Sequence, residues 1–439
     1  MAVCRLPAMG TARLAAAGCF PLWSKTMPVE LPILASRVES PSPPKPVIWL
    51  ALFVAFMLAS VSLTLVTWPK GEPTGSAWFW ARVLAFPALA WCVAFGLRLF
   101  YYDDETDRLR AEMEVLEADR ARAIEFAREP LAVLGSAYAC ALGEYGVASA
   151  IADAKQSALK ARAPRPGEGA IRHTALTLNA DEENPCRYRA LFLSLLGELD
   201  EALSELPKAV PFEVRLQVPP EMDGDELWET WKHCWEETGH AQTSASLRNV
   251  QRGVMAVDEW LDIKAGPALE KLTLFVAAQL HADPPENSAE VGVAFLCGWA
   301  PLVERLGLKP VALLHRPVET TEPELRDTVT TGLLWGGLSA AELHHVWQAG
   351  LAGQDKPSFL SVTTELGLKL GEQEGFSGIH DIDIALGQPG EAAGWLAVAL
   401  ATEHAWQSGK PQMIAVREKA FSVAVVRPAS RGNEMEFAQ

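Results

Sequence analysis

Between Val47 and Trp68 the chain runs 22 residues without a charged side chain, VIWLALFVAFMLASVSLTLVTW. A helix rises about 1.5 Å per residue, so a run of this length spans the roughly 30 Å hydrocarbon core of a bilayer. A short polar turn, PKGEPTGS, leads into a second apolar run, AWFWARVLAFPALAWCVAFGLRLFYY (77–102). Arg82 and Arg98 stand near its ends, where long basic side chains snorkel to the headgroups. Trp49, Trp68, Trp78, Trp80, Tyr101 and Tyr102 fall where interfacial aromatics belong. A buried hairpin in a soluble protein is the alternative, but core helices rarely run so far without polar residues. The expectation is a two-helix transmembrane hairpin over residues 47–102. Arg37 and Lys45 precede it, Arg98, Arg108, Arg110 and Arg120 flank its far end, and the turn between holds only Lys70. By the positive-inside rule both termini face the cytoplasm, the arrangement of a multi-pass protein of a bacterial inner membrane.

The formal charge of −17 argues against nucleic acid as a partner, since nucleic-acid binders present a basic face. The seven cysteines are scattered and never form a CxxC pair, which reads as reduced thiols without a zinc site or a disulfide framework. No cofactor or metal is expected. Residues 1–46 read as an unstructured segment closed by an extended linker, PSPPKP (41–46). LAAAGC (14–19) fails as a lipoprotein cleavage site because its apolar stretch is too short and Ala16 stands three before Cys19. Translation from Met1 and from Met27 both fit.

After the second span, DDETDRLRAEMEVLEADRARAIEFARE (103–129) places Leu109, Met113, Leu116 and Ile124 at helical spacing. Asp104/Arg108, Asp107/Arg110, Glu117/Arg120 and Glu125/Arg128 sit at ion-pairing offsets. This is a charged stalk helix ended by Pro130; a short coiled coil and a helix laid on the domain both remain open. Strand-like and helix-like runs then interleave through 130–428, with 429–439 as a disordered tail. LAVLG (131–135), FEVRLQV (212–218), LTLFVAAQL (272–280), VGVAFLC (291–297) and PVALLHR (310–316) read as strands. ALFLSLLGELDEALSEL (190–206), ELWETWKHCWEE (226–237), RNVQRGVMAVDEWLD (248–262) and EAAGWLAVALATEHAW (391–406) read as helices, before a closing hairpin at 412–427. The pattern predicts an α/β domain with a largely buried sheet. No fixed-period repeat is visible.

P-loop, GxGxxG and HExxH signatures are missing. GFSGI (375–379) lacks the glycine spacing of a nucleophile elbow and reads as a turn. HCWEETGH (233–240) offers His233, Cys234 and His240, but Trp228, Trp231 and Trp235 make core packing the stronger explanation. SAAELHHVW reads as a helix with Ser339 as N-cap and Glu342 at the capping-box position, so His344 and His345 face apart. Cys297 ends an apolar run and reads as a buried thiol.

Near the C-terminus LGQPGEAAGW (386–395) follows DIDIALG, read as a strand reaching a sharp turn, and precedes a long helix. This tract resembles the thiolase/β-ketoacyl-synthase superfamily, whose members carry a late loop of the form G-H-x-x-G-A-A-G, then a helix and a closing β-hairpin. Here the loop is Gly387-Gln388-Pro389-Gly390-Glu391-Ala392-Ala393-Gly394. PLAVLGSAYACALGEYG (130–146) is similar to the synthase opening strand and its glycine turn. The resemblance implies a thiolase-like fold and a histidine at the position of Gln388, which glutamine cannot replace in proton chemistry. Glu391 stands where the motif has glycine, and no small-residue-flanked cysteine opens a helix in the first half. A Claisen condensation needs both a thiolate and proton-transfer partners, so the loop reads as a catalytic remnant. The same tail, through VVRP, also resembles accessory proteins of type VI secretion, including the lipase adaptors.

The expectation is therefore a non-enzymatic, membrane-anchored adaptor that binds a protein on the cytoplasmic side, with a secretion effector as one candidate. Gln388, Pro389, Gly390 and Glu391 form the candidate interaction turn, against the alternative that this turn only packs the last helix onto the sheet. The competing class is a membrane-bound acyl-thioester-handling enzyme using Cys140, Cys234 or Cys297.

Overall fold

The computed structural model describes residues 29, 31–32, 41–153, 157–163, 169–178, 184–239, 245–249, 252–320, 325–370 and 378–429, with 184–185 and 245–249 in backbone only. Most of the N-terminal segment, most of the tail, His240 and residues 375–377 of GFSGI lie outside them. The chain divides into two compact units, one of which is Leu31–Ala123.

In that unit two helices, Pro46–Thr67 and Ala77–Arg128, are long and apolar enough to cross a membrane. They run antiparallel. Trp91 stacks on Phe95 and meets Trp49 edge-on, its Nε1 donating to the Trp49 carbonyl at 2.9 Å. The second helix opens on Ser76, whose Oγ accepts from the Phe79 amide. Residues Ala81–Ala85 form a π turn just ahead of Pro87. Proline lacks an N–H and its ring crowds the carbonyl four residues back, and the wider turn relieves both. The Ser60 hydroxyl then donates to the Arg82 carbonyl at 2.9 Å. Val47, Leu50, Leu63, Leu65 and Val66 are all exposed, an apolar surface that calls for lipid or protein cover. The second helix continues to Arg128, two residues short of Pro130. Of the expected ion pairs Asp107–Arg110 is made, while Arg108 turns to Glu112 and Arg122 joins Asp119. Each is exposed and adds little stability.

In the second unit one mixed sheet contains eleven described strands. The first five are β1 (Leu131–Ala139), β4 (Phe212–Gln217), β5 (Ala245–Asn249), β6 (Leu272–Gln279) and β8 (Val291–Trp299). They lie in the order β5-β4-β6-β8-β1, parallel except for β8. The remainder are β9 (Ala312–Leu314), β10 (Val318–Thr320), β11 (His345–Ala349), β12 (Ile379–Asp381), β13 (Gln412–Arg417) and β14 (Phe421–Pro428). Pro317 lies between β9 and β10, which pair with successive parts of β14 and act as one interrupted strand. Counting them so, the order is β12-β11-β13-β14-β9/β10, parallel except for β14. Both halves thus follow one plan, third-second-fourth-fifth-first with the fifth strand reversed. They meet where β1 and β9 pair antiparallel. A smaller sheet joins β2 (Lys160–Arg162), β3 (Ile171–Thr174) and β7 (Ser288–Ala289).

The core lies on both faces of the large sheet. The helix Ala393–Ser408 is buried continuously from Ala393 to Thr402, which suits a helix hydrophobic all round and small enough to be enclosed. Trp395 anchors it, stacking on Phe275 at 4.2 Å and donating Nε1–H to Gln217 Oε1 at 3.2 Å.

Several sequence expectations are corrected. DIDIALG is not a strand: only Asp381 belongs to β12, and Ile382–Ala385 form a helical turn with Asp381 as N-cap. SAAELHHVW is not a helix. Its capping box is present but closes only a 3-10 turn, Ala340–Glu342, and His345 already opens β11. Arg248 and Asn249 end β5, and among the described residues helix begins only at Gly253. The polar residues of β4 are buried with the rest of the strand: Glu213 and Arg215 pair with each other, and Lys271 also reaches Glu213. LAVLG extends to a nine-residue strand with a register shift between Val133 and Gly135.

Candidate functional site

A cavity of about 700 Å³ opens where residues of both half-sheets meet, among them Gln217 of β4, Glu319 of β10 and Ser422 of β14. The candidate turn Gln388, Pro389, Gly390 and Glu391 lines it, as do Gly253, Gly350 and the β13–β14 hairpin residues Arg417, Glu418 and Lys419.

The turn is fastened through its backbone. Gln388 N–H donates to the Asn287 carbonyl at 2.7 Å and its carbonyl accepts from Ala289 at 2.9 Å. Glu391 is held by the first half: Gln217 Nε2 donates to its carbonyl and its carboxylate, both at 3.0 Å, and its own N–H donates to Gln279 Oε1. Gly390 has a φ of 55°, and a Cβ there would lie 2.4 Å from Gln279 Oε1. The turn therefore docks the last helix, and it also leaves the Gln388 side chain exposed at the cavity wall.

Strand β5 is followed by the start of a helix at Gly253, φ 52°. A left-handed residue where a helix starts after a strand is the backbone that presents a nucleophile in hydrolases. Here the residue has no side chain. A Cβ on Gly253 would fall 1.6 Å from Glu418 Oε2 and 2.2 Å from Oε1, and a Cβ on Gly394 would fall 2.4 Å from Oε1. The Glu418 carboxyl thus occupies the space above the turn, against two helix starts. Burial and the neighbouring Glu391 and Glu319 push its pKa up to about 7, although the amides of Val254 and Gly394 hold it down. Its Oε1 is inaccessible and has no well-formed hydrogen bond among the described residues. Arg417, beside it, is committed to Asp355 through two bonds of 2.5 and 2.7 Å.

The three candidate thiols lie elsewhere, for none lines the cavity. Cys140, Cys234 and Cys297 are buried, and burial pushes Cys140 and Cys234 up to about 11 and Cys297 further still. High thiol pKa values suit packing, not nucleophilic attack. His233 is exposed while Cys234 beside it faces the core, so the two do not converge.

Sequence reasoning missed one cluster. His345, His380 and His404 stack with Trp347, ring centroids 4.5–5.7 Å apart, and His345 Nδ1 meets His380 Nε2 at 3.0 Å. Burial, with the neighbouring rings, lowers His345 to about 4 and His380 to about 3. The rings share a hydrogen bond and do not aim lone pairs at one point; no described group of three such residues could hold a metal. The helical reading of 339–347 hid this, because in a strand His345 can face β12.

No family model and no curated protein matches this sequence. By structure the chain is similar to the keto synthase–chain length factor PfaC, at 10% identity and TM-score 0.52, over 69% of this chain and 43% of that one. It is likewise similar to ketosynthase twelve of the bacillaene polyketide synthase of Bacillus amyloliquefaciens, at 10% identity and TM-score 0.50, over 69% and 74%. At such identity the likeness speaks for the fold alone. The α/β domain has a thiolase-like, ketosynthase-like fold.

Proposed function

We propose that the chain is a membrane-anchored, non-catalytic member of this fold that serves as an adaptor for a protein partner. The observation that carries the reading is the Glu418 carboxyl lodged over Gly253: the turn suited to a nucleophile has no side chain, and a carboxyl whose Oε1 is inaccessible fills its space. Gln388 in the histidine position of the motif and the absence of any Cys, His or Tyr from the described cavity lining support it. The two apolar helices would form the transmembrane hairpin, with the α/β domain on the cytoplasmic side by the positive-inside rule. A type VI secretion effector is the partner that the resemblance of the tail suggests.

Affinity purification of the tagged full chain from bacterial membranes in mild detergent tests this. Enrichment of one protein, lost on deleting 130–439 and kept when Cys140, Cys234 and Cys297 are changed to Ala, is the expected result. Recovery of acyl carrier protein, abolished by a single one of those changes, would overturn it in favour of the acyl-thioester enzyme. Release of the chain from membranes by alkaline carbonate would separately remove the anchor.

A further inference from the structure

Strand β1 is paired unequally on its two sides. On one flank β8 follows it from Leu131 to Ala139, but on the other β9 pairs only with Leu131, Ala132 and Val133. From Leu134 onward the second flank carries no described strand. A groove of about 400 Å³ runs along this stretch, lined by Leu134–Tyr138 and by Leu308, Lys309 and Val311, the residues leading into β9. That places the groove at the open flank. Its walls come from the turn after Glu198 on one face of the sheet and from the end of the last helix on the other.

The chemistry of the groove is one-sided. Glu144, Glu198, Glu201, Glu205 and Glu403 line it, against Lys309 as the one cation among its described lining residues. Glu403 is spent on the Tyr138 hydroxyl and the amides of Gly146 and Ala148, and Glu144 accepts from Ser194. Glu198, Glu201 and Glu205 are exposed. Tyr145, 82% exposed, and Trp406, 54% exposed, present aromatic faces beside them. An independent sign comes from Thr402. It is 2% exposed and lines the groove, yet its Oγ1 has no hydrogen-bond partner among the described residues. A buried hydroxyl left unmatched is costly unless something reaches it.

We propose that this groove takes a short extended segment of a partner protein, rich in Lys and Arg, added as a strand to the open flank of β1. Strand addition supplies main-chain hydrogen bonds, while pockets for alternate side chains supply specificity. The acidic rim and the two aromatic faces select cations, through charge complementarity and cation–π contact. This rests on the adaptor reading in taking the occupant to be a protein.

The test uses the full chain in detergent and three fluorescent peptides: an alternating Val/Lys/Arg peptide, its Val/Glu counterpart, and the basic peptide with alternate amides N-methylated. The basic peptide is expected to bind, with the other two weaker by roughly tenfold or more. Reversing Glu198, Glu201 and Glu205 to Lys is expected to weaken the basic peptide by a similar factor, with unchanged circular dichroism. Thr402→Val is expected to weaken it by a smaller, salt-independent factor. Equal binding of acidic and basic peptides, or indifference to the three reversals, overturns the charge selection. Equal binding of the N-methylated peptide overturns strand addition. Exposure to an acyl-CoA separates this from the adaptor reading: peptide binding by a chain that acylates would keep the groove and sink the adaptor, and no binding by an inert chain would do the reverse.

Discussion

Replacing Gly253 by Ala tests whether Glu418 fills the space above the strand-to-helix turn. The substitution carries two penalties. An L-residue at φ 52° costs about 1–2 kcal/mol against glycine. The new methyl, placed 1.6 Å from Glu418 Oε2, must also expel the carboxyl from the two helix starts. Losing contacts with the Val254 and Gly394 amides costs about 1–3 kcal/mol. Gly253→Ala alone is then expected to cost about 2–5 kcal/mol, the sum of those two penalties. In the double variant with Glu418→Ala only the backbone penalty remains at position 253, because nothing occupies the methyl's place. The two changes should therefore fall short of additivity by about 1–3 kcal/mol. For a domain of about 300 residues this is roughly 2–5 °C in the apparent melting temperature, read from tryptophan fluorescence of the full chain in detergent. Additivity within about 0.5 kcal/mol would refute the packing of Glu418 on Gly253.

Glu418→Gln should also change the pH profile. The folded pKa of about 7 lies above the ordinary 4.5, so the stabilising contribution is full below pH 4.5 and is lost as pH rises through 7. The Gln variant should lack that loss, of about 3 kcal/mol, in melts between pH 4 and pH 8. The histidine stack has the opposite sign. His345 and His380 are depressed to about 4 and 3 from 6.5, so their contribution is present above pH 6.5 and is lost as pH falls through those values; His380→Asn should flatten this acid limb. Arg316, 1% exposed, pairs with Asp258 and Asp262 and donates to the Leu261 carbonyl. Arg316→Ala strands Asp258 in the core and should lower stability by about 3–5 kcal/mol in denaturant titration of the full chain.

The central strands were legible because burial on both faces leaves continuous apolar runs such as LTLFVAAQL and VGVAFLC. The closing hairpin was legible as two apolar runs broken by the short polar turn EKA. The duplication was not: the halves share a strand plan without a shared residue pattern, since topology is set by pairing and only loosely by side-chain identity. Short elements failed where local signals misled, as when a genuine capping box at Ser339 and Glu342 closed a single 3-10 turn before β11 took over. At the candidate site, Gln388 to Glu391 could be picked out because the glycines and alanines of the loop are themselves the pattern. Glu418 and Gly253 could not. They lie 165 positions apart in the sequence, one in an ordinary polar hairpin turn, and only the fold brings them together.

Intact-mass spectrometry of the purified full chain after incubation with a short-chain acyl-CoA bears most directly on the non-catalytic reading. No adduct is expected on Cys140, Cys234 or Cys297, which are buried with raised pKa values, or at Gly253, which offers no nucleophile; peptide mapping separates these from the exposed Cys92 and Cys186. A stoichiometric acyl adduct on Cys140, Cys234 or Cys297, lost on changing that residue to Ala, would contradict the account.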